Sequence, residues 1–232
     1  MEKHIKRMIV AFMSLGIICS ILNIKQHSID ATSTPIVKNY GLHDSDGADR
    51  YSWMADVKSM YTTYASPTAK VTNYNYFTRS TLYNGLNTAN YLNIHTHGAF
   101  NSTTSTTYSL VCIDSSGSRT DLTLAAVNNY SSGIFSNLKV CFLGACQSAG
   151  IHHNMALAVK NHGAACTIGY QETVDTKCNY NTIAAFNLGF ATANKTVANA
   201  MSAAIAGTYT KYGQYGETDS YQIYGNSSLT YN

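Results

Sequence analysis

Apolar positions along the chain switch repeatedly between two spacings. Over residues 91–94, 140–143 and 164–170 they form short, nearly unbroken runs, the pattern of strands buried on both faces. Elsewhere the spacing lengthens to that of a helix. Trp53, Val57, Met60, Tyr61 and Tyr64 fall at i, i+4, i+7, i+8 and i+11 and predict an amphipathic helix that stops before Pro67. Ile151, Met155, Ala158 and Val159 predict a helix that begins right after Gly150 and ends at Asn161-His162-Gly163, with Gly163 suited to a left-handed cap. Ile183, Phe186 and Phe190 mark another helix, and Val197, Met201, Ala204 and Ile205 a further one, closed by Gly207.

Weaker patterns fill in the order of elements. Residues 70–77, 108–113 and 221–224 read as strands, and 114–117 as a turn. Residues 80–90 read as a short helix or turn around Leu82 and Leu86, and Leu122, Leu124 and Val127 as a short helix. Residues 101–107 form a Ser/Thr-rich loop, and residues 32–49 read as polar and irregular. Asp44, Asp46 and Asp49 with Gly47 read as a turn and helix cap. A calcium loop would need the glycine elsewhere and a bidentate Glu beyond it.

Strands alternating with helices over one domain predict an α/β fold with a largely parallel sheet. In such sheets ligands bind beyond the carboxyl ends of the strands. Two predicted strands end there on reactive residues. Tyr91-Leu92-Asn93-Ile94-His95-Thr96-His97-Gly98 ends on His97, and Lys139-Val140-Cys141-Phe142-Leu143-Gly144-Ala145-Cys146 ends on Cys146.

Composition narrows the function classes. Only 12% of residues are charged and the net charge is +3, with no basic stripe, so nucleic acid is not an expected partner. The two prolines leave little room for long disordered linkers, and there is no internal repeat. At the start of the chain Lys3, Lys6 and Arg7 precede an apolar run over residues 8–24, and Ala31 offers a small-residue cleavage site. Residues 1–31 therefore read as a secretory signal peptide, the alternative being a retained membrane anchor. Residues 32–232 remain as a single domain, with the product expected outside the cell or in its envelope, monomeric, and without stable membrane association after cleavage.

Beyond the signal stand Cys112, Cys141, Cys146, Cys166 and Cys178. An odd cysteine in a secreted chain can be a reactive thiol. The other four can form two disulfides or remain free in the core. Cys141 and Cys166 lie inside strand-like runs, which favours buried and free for that pair.

Cys146 as nucleophile and His97 as its base would suit thiol acyl transfer, because a histidine can assist thiolate formation and protonate a leaving amine. A helix starting just after Cys146 would favour the thiolate through its open N–H groups. The N–H of Gly98, with no side chain in the way, and that of Cys146 would form an oxyanion hole. His95 is the rival base. A zinc site from His95, His97, Cys146 and His152 has neither C-x-x-C nor H-x-x-x-H spacing behind it. No metal or cofactor is expected.

The separation of His97 from Cys146 is 49 residues, and caspases place their histidine about 50 residues before the cysteine. With that spacing, the strand ending in His97-Gly98 and the strand ending in Ala145-Cys146 resemble the clan of caspases, gingipains, clostripain and separases. The closest resemblance is to its CHAT-domain branch. Residues 156–169, an alanine-rich segment followed by Gly-Ala and a strand, residues 196–204, and Tyr224-Gly225-Asn226-Ser227-Ser228-Leu229 extend the resemblance over most of residues 32–232. Gly144 stands where caspases have Gln, Ser148 where they have Gly, and Asn226-Ser227 where CHAT domains have Asp-Pro.

The resemblance implies a caspase-like three-layer sandwich with a mostly parallel central sheet flanked by helices. It implies a Cys146–His97 dyad cutting a protein or peptide substrate. It also places a specificity loop at residues 171–175, where Glu172 and Asp175 would select Arg or Lys before the scissile bond. The alternatives are a catalytically silent binding or surface module, and a thiol amidase or transpeptidase acting on cell-wall peptides.

Overall fold

A computed structural model of the chain describes residues 33–43, 52–100, 108–151 and 154–231. The expected signal peptide at 1–31, the expected turn at 44–49, the expected loop at 101–107, and His152 and His153 lie outside the described residues.

Six strands form the central sheet: β1 (Ile36–Gly41), β2 (Lys70–Tyr74), β3 (Tyr91–His95), β7 (Val140–Gly144), β8 (Cys166–Tyr170) and β9 (Tyr221–Gly225). Their order is β2-β1-β3-β7-β8-β9, and every pairing is parallel except that of β9 with β8. A second, antiparallel sheet joins β4 (Gly98–Phe100), β5 (Tyr108–Leu110) and β6 (Leu122–Thr123). The helices are α1 (Ser52–Ser59), α2 (Arg79–Thr88), α3 (Leu124–Asn128), α4 (Met155–Asn161), α5 (Thr176–Asn187) and α6 (Val197–Tyr212).

The unbroken apolar runs have the cause expected of them. On one face Leu92, Ile94, Cys141 and Leu143 share a core with Leu82 and Leu86 of α2 and with Met155 and Val159 of α4. On the other face Phe142 meets Phe186 of α5 at 5.4 Å between ring centroids, and Tyr91 meets Phe190 at 5.6 Å. With helices on both sides, every residue of β3, β7 and β8 is buried.

Several elements depart from the sequence reading. Residues 32–49 are not irregular throughout, because β1 lies among them and pairs with both β2 and β3. Its polar Lys38 and Asn39 are buried by distant partners: Lys38 Nζ donates to Asn84 (2.8 Å) and Thr88 (2.7 Å). At the end of α1 the chain widens into a five-residue-spaced turn over Met60–Tyr64, with Ala65 N–H donating to Met60 O at 2.8 Å. That shifts the helical phase and leaves Tyr64 exposed. Finally, α6 runs through the buried Gly207 to a left-handed cap at Gly213 (φ 70°).

Asn73, Asn39 and Asn93 stand opposite one another on β2, β1 and β3 and form a side-chain ladder. Asn39 donates to Asn73, Asn93 to Asn39, and Asn187 of α5 to Asn93, each at 3.0 Å; the Tyr61 hydroxyl closes the row on Asn187 at 2.7 Å. Removing a middle rung strands an acceptor on one side and a donor on the other. Asn93→Ala is expected to lower the unfolding free energy by about 2–4 kcal/mol. Urea unfolding measures it, and a loss below about 1 kcal/mol would show that the ladder contributes little.

Candidate active site

The parallel register of β3 and β7 positions the two reactive residues. His95 is opposite Gly144, so His97 and Cys146 each stand two residues past the same rung at the carboxyl edge of the sheet. Beyond that rung the two backbones touch. A β-carbon on Gly98 would lie 2.1 Å from the Cys146 carbonyl oxygen and 2.6 Å from the Tyr108 hydroxyl. Only glycine fits so close an approach. Both His97 and Cys146 are half-buried. His95, the rival base, is buried beside the Trp53 ring, with 6.1 Å between centroids.

Two backbone N–H groups at this contact are left open among the described residues. Gly98 is opposite Leu110, and the His97 carbonyl accepts the Val111 N–H at 3.0 Å. That phase of an antiparallel pair turns the Gly98 N–H out of the ladder. Cys146 lies on a turn, and its N–H donates to no backbone carbonyl of the described residues.

The turn that carries Cys146 is tied on every side. Ser148 N–H donates to Ala145 O (3.2 Å), and the Ser148 hydroxyl donates to Leu143 O (2.7 Å) and accepts from Tyr170 N–H (3.1 Å). Gln147 N–H donates to Glu172 O at 2.9 Å, and the Asn179 amide donates to Gly144 O at 3.0 Å. Two departures from the caspase pattern are explained here. A side chain at Gly144 would stand 2.6 Å from Ile94 O, and the hydroxyl of Ser148 holds β7 and β8 to the turn.

One expectation fails. No helix begins right after Gly150: α4 starts at Met155, capped by Asn154, and Ile151 is 83% exposed. Cys146 therefore does not sit at a helix N-terminus, and open helix N–H groups do not favour its thiolate. Ala149 is bridged to Asn154, and its N–H donates to Tyr170 O at 2.8 Å.

The loop at 171–175 borders the cysteine. The Cys146 thiol points at Val174 O, 3.9 Å away, and the main chain of Glu172 holds Gln147. The side chains of Glu172 and Asp175 are exposed. The Asp175 carboxylate caps α5, its Oδ1 accepting from Lys177 and Cys178 N–H at 2.9 Å each.

Tyr108 escaped the sequence reading. It is fully buried, and its hydroxyl donates to the Cys146 carbonyl at 2.8 Å. Burial first, and the nearby Cys146 second, push its phenol well above the ordinary value, so it remains a donor. A tyrosine heading a short strand carried no signal of this contact.

The five cysteines among the described residues are free. Cys112, Cys141, Cys166 and Cys178 are buried, and burial pushes the thiols of Cys112 and Cys166 up to about 12 and that of Cys178 to about 11. Cys141 is raised by the same cause. Of the five, Cys146 alone is partly exposed. Among the described residues no three His, Cys, Asp or Glu side chains converge as a metal site, and no helix is long and apolar enough to cross a membrane.

The mostly parallel six-stranded sheet with its flanking helices is a caspase-like fold. No family model matches the sequence, and neither does any curated protein. Solved structures do match in shape. The Arg-specific cysteine proteinase gingipain R is 15% identical over 84% of this chain and 47% of its own, with a TM-score of 0.60. The complex of Porphyromonas gingivalis RgpB pro- and mature domains gives 14% identity, coverage of 84% and 48%, and a TM-score of 0.62. A secreted C11 cysteine protease from Bacteroides thetaiotaomicron gives 11%, 82% and 65%, and a TM-score of 0.51. The chain thus spans about half the length of the two gingipain chains. Each likeness is one of fold.

Proposed function

We propose that the chain is a secreted cysteine endopeptidase in which Cys146 is the nucleophile and His97 the base. Residues 1–31 serve as its signal peptide and 32–232 as its peptidase domain. The observation that carries the reading is the joint in-register placement of His97 and Cys146, closed by the contact of Gly98 with the Cys146 carbonyl. That the structural neighbours are cysteine proteases supports it.

In the first step the Cys146 sulfur forms a bond to the scissile carbonyl carbon, its proton passing to His97, and the carbonyl π electrons move onto oxygen. The Gly98 and Cys146 N–H groups receive that oxyanion. Collapse breaks the C–N bond, and the amine leaves with the proton from His97. Water then attacks the thioester with His97 taking its proton, the S–C bond breaks, and the acid and the thiol are released.

The residue before the cut meets the loop at 171–175. With one oxygen of Asp175 committed to the α5 cap, Glu172 is the acid there whose carboxylate makes no hydrogen bond or ion pair among the described residues. It selects Arg or Lys by charge. Hydrolysis of a peptide panel varying that residue tests the reading, together with alkylation of Cys146 by iodoacetamide. Cleavage after Arg or Lys is expected, with Glu172→Gln lowering kcat/KM on those peptides about tenfold. Equal cleavage after every residue would overturn the basic preference. Cleavage of cell-wall fragments alone would make the protein a thiol amidase instead.

A further inference from the structure

The peptide that follows the nucleophile is held against its own preference. Gln147 has φ 53°, a left-handed conformation that side-chain residues disfavour. Rotating the Cys146–Gln147 peptide about its flanking bonds would return Gln147 to an extended conformation. Two hydrogen bonds oppose that rotation, one at each end of the peptide plane. The Gln147 N–H is held by Glu172 O at 2.9 Å, and the Cys146 carbonyl by the Tyr108 hydroxyl at 2.8 Å. The second is the only one of the two made by a side chain.

The same carbonyl is the atom that rests against Gly98, so its orientation sets the Gly98 N–H relative to the Cys146 N–H. Tyr108 begins β5, which pairs with the strand that Gly98 opens. One hydroxyl thus ties the hairpin after His97 to the turn of Cys146. We infer that Tyr108 is a positioning residue of the active site, holding the Cys146–Gln147 peptide in the orientation that aligns the two oxyanion donors. The inference rests on the peptidase reading above.

Tyr108→Phe tests it, since the ring still fills its buried position while the hydroxyl is lost. Peptide hydrolysis needs the oxyanion donors, whereas alkylation of the thiol by iodoacetamide does not. The full chain carrying Tyr108→Phe is expected to lose about ten- to a hundredfold in kcat with little change in KM, while Cys146 is alkylated within about twofold of the wild-type rate. Glycine takes positive φ without strain. Adding Gln147→Gly to Tyr108→Phe is therefore expected to recover at least about threefold of the loss. A merely structural role for Tyr108 would slow alkylation in step with hydrolysis and would show no recovery.

Wild-type kcat in Tyr108→Phe, a parallel fall in alkylation, or the absence of recovery would each overturn the inference while leaving the peptidase reading intact. A wild-type chain that hydrolyses nothing, or a Cys146→Ala variant that still does, would sink the peptidase reading and this inference with it.

Discussion

Cys146→Ala is expected to abolish peptide hydrolysis, with kcat/KM falling by at least about 10⁴-fold. No other thiol of the described residues can take over, because Cys112, Cys141, Cys166 and Cys178 are buried and burial raises their thiols well out of the neutral range. His97→Ala leaves the sulfur in place but removes the proton donor to the leaving amine, so amide hydrolysis should fall by about 10²- to 10⁴-fold. An activated ester, whose leaving group departs without a proton, should lose much less in the same variant. Steady-state kinetics on a matched amide and ester pair measures the difference. Equal losses on both would argue against His97 as the acid, and hydrolysis that survives Cys146→Ala would refute the mechanism outright.

Gly98→Ala should have the next largest effect, for a different reason. The added methyl would lie 2.1 Å from the Cys146 carbonyl oxygen, a backbone atom that cannot swing aside as a side-chain end could. The hairpin that begins with β4 must then withdraw from the Cys146 turn. Misplacing the two donors by about 1 Å is expected to lower kcat by about 10²- to 10³-fold, with the fold retained. Thermal unfolding and the iodoacetamide rate serve as controls. A kcat within about threefold of wild type would mean that the Gly98 N–H does not touch the oxyanion.

Two departures from the sequence reading lie beside the site. The helix expected right after Gly150 starts only at Met155, because Ala149 is bridged to Asn154 and bonded to Tyr170 of β8. Asp175 looks from the sequence like a free acid in a specificity loop, yet the start of α5 beside it claims one of its oxygens. At Ala149 a partner far along the chain, Tyr170, outweighs the local signal, whereas at Asp175 the cap of the very next helix does.

The sequence by itself determined the parallel sheet and the ends of its two most informative strands. Strands buried on both faces must be apolar at every position, so β3, β7 and β8 are readable without knowing their neighbours. It also singled out His97 and Cys146 at those ends as the candidates for chemistry, because a His-Gly and an Ala-Cys after apolar runs are local features. Only the tertiary structure decided the rest. Strand β1 is hidden by Lys38 and Asn39, which are buried only because Asn84, Thr88, Asn73 and Asn93 arrive from elsewhere to satisfy them. The place of Tyr108 against the Cys146 carbonyl depends on a contact across 38 residues. Local patterns report whether a side chain prefers water or the interior; which polar group it meets there is set by the packing of elements that the local pattern does not contain.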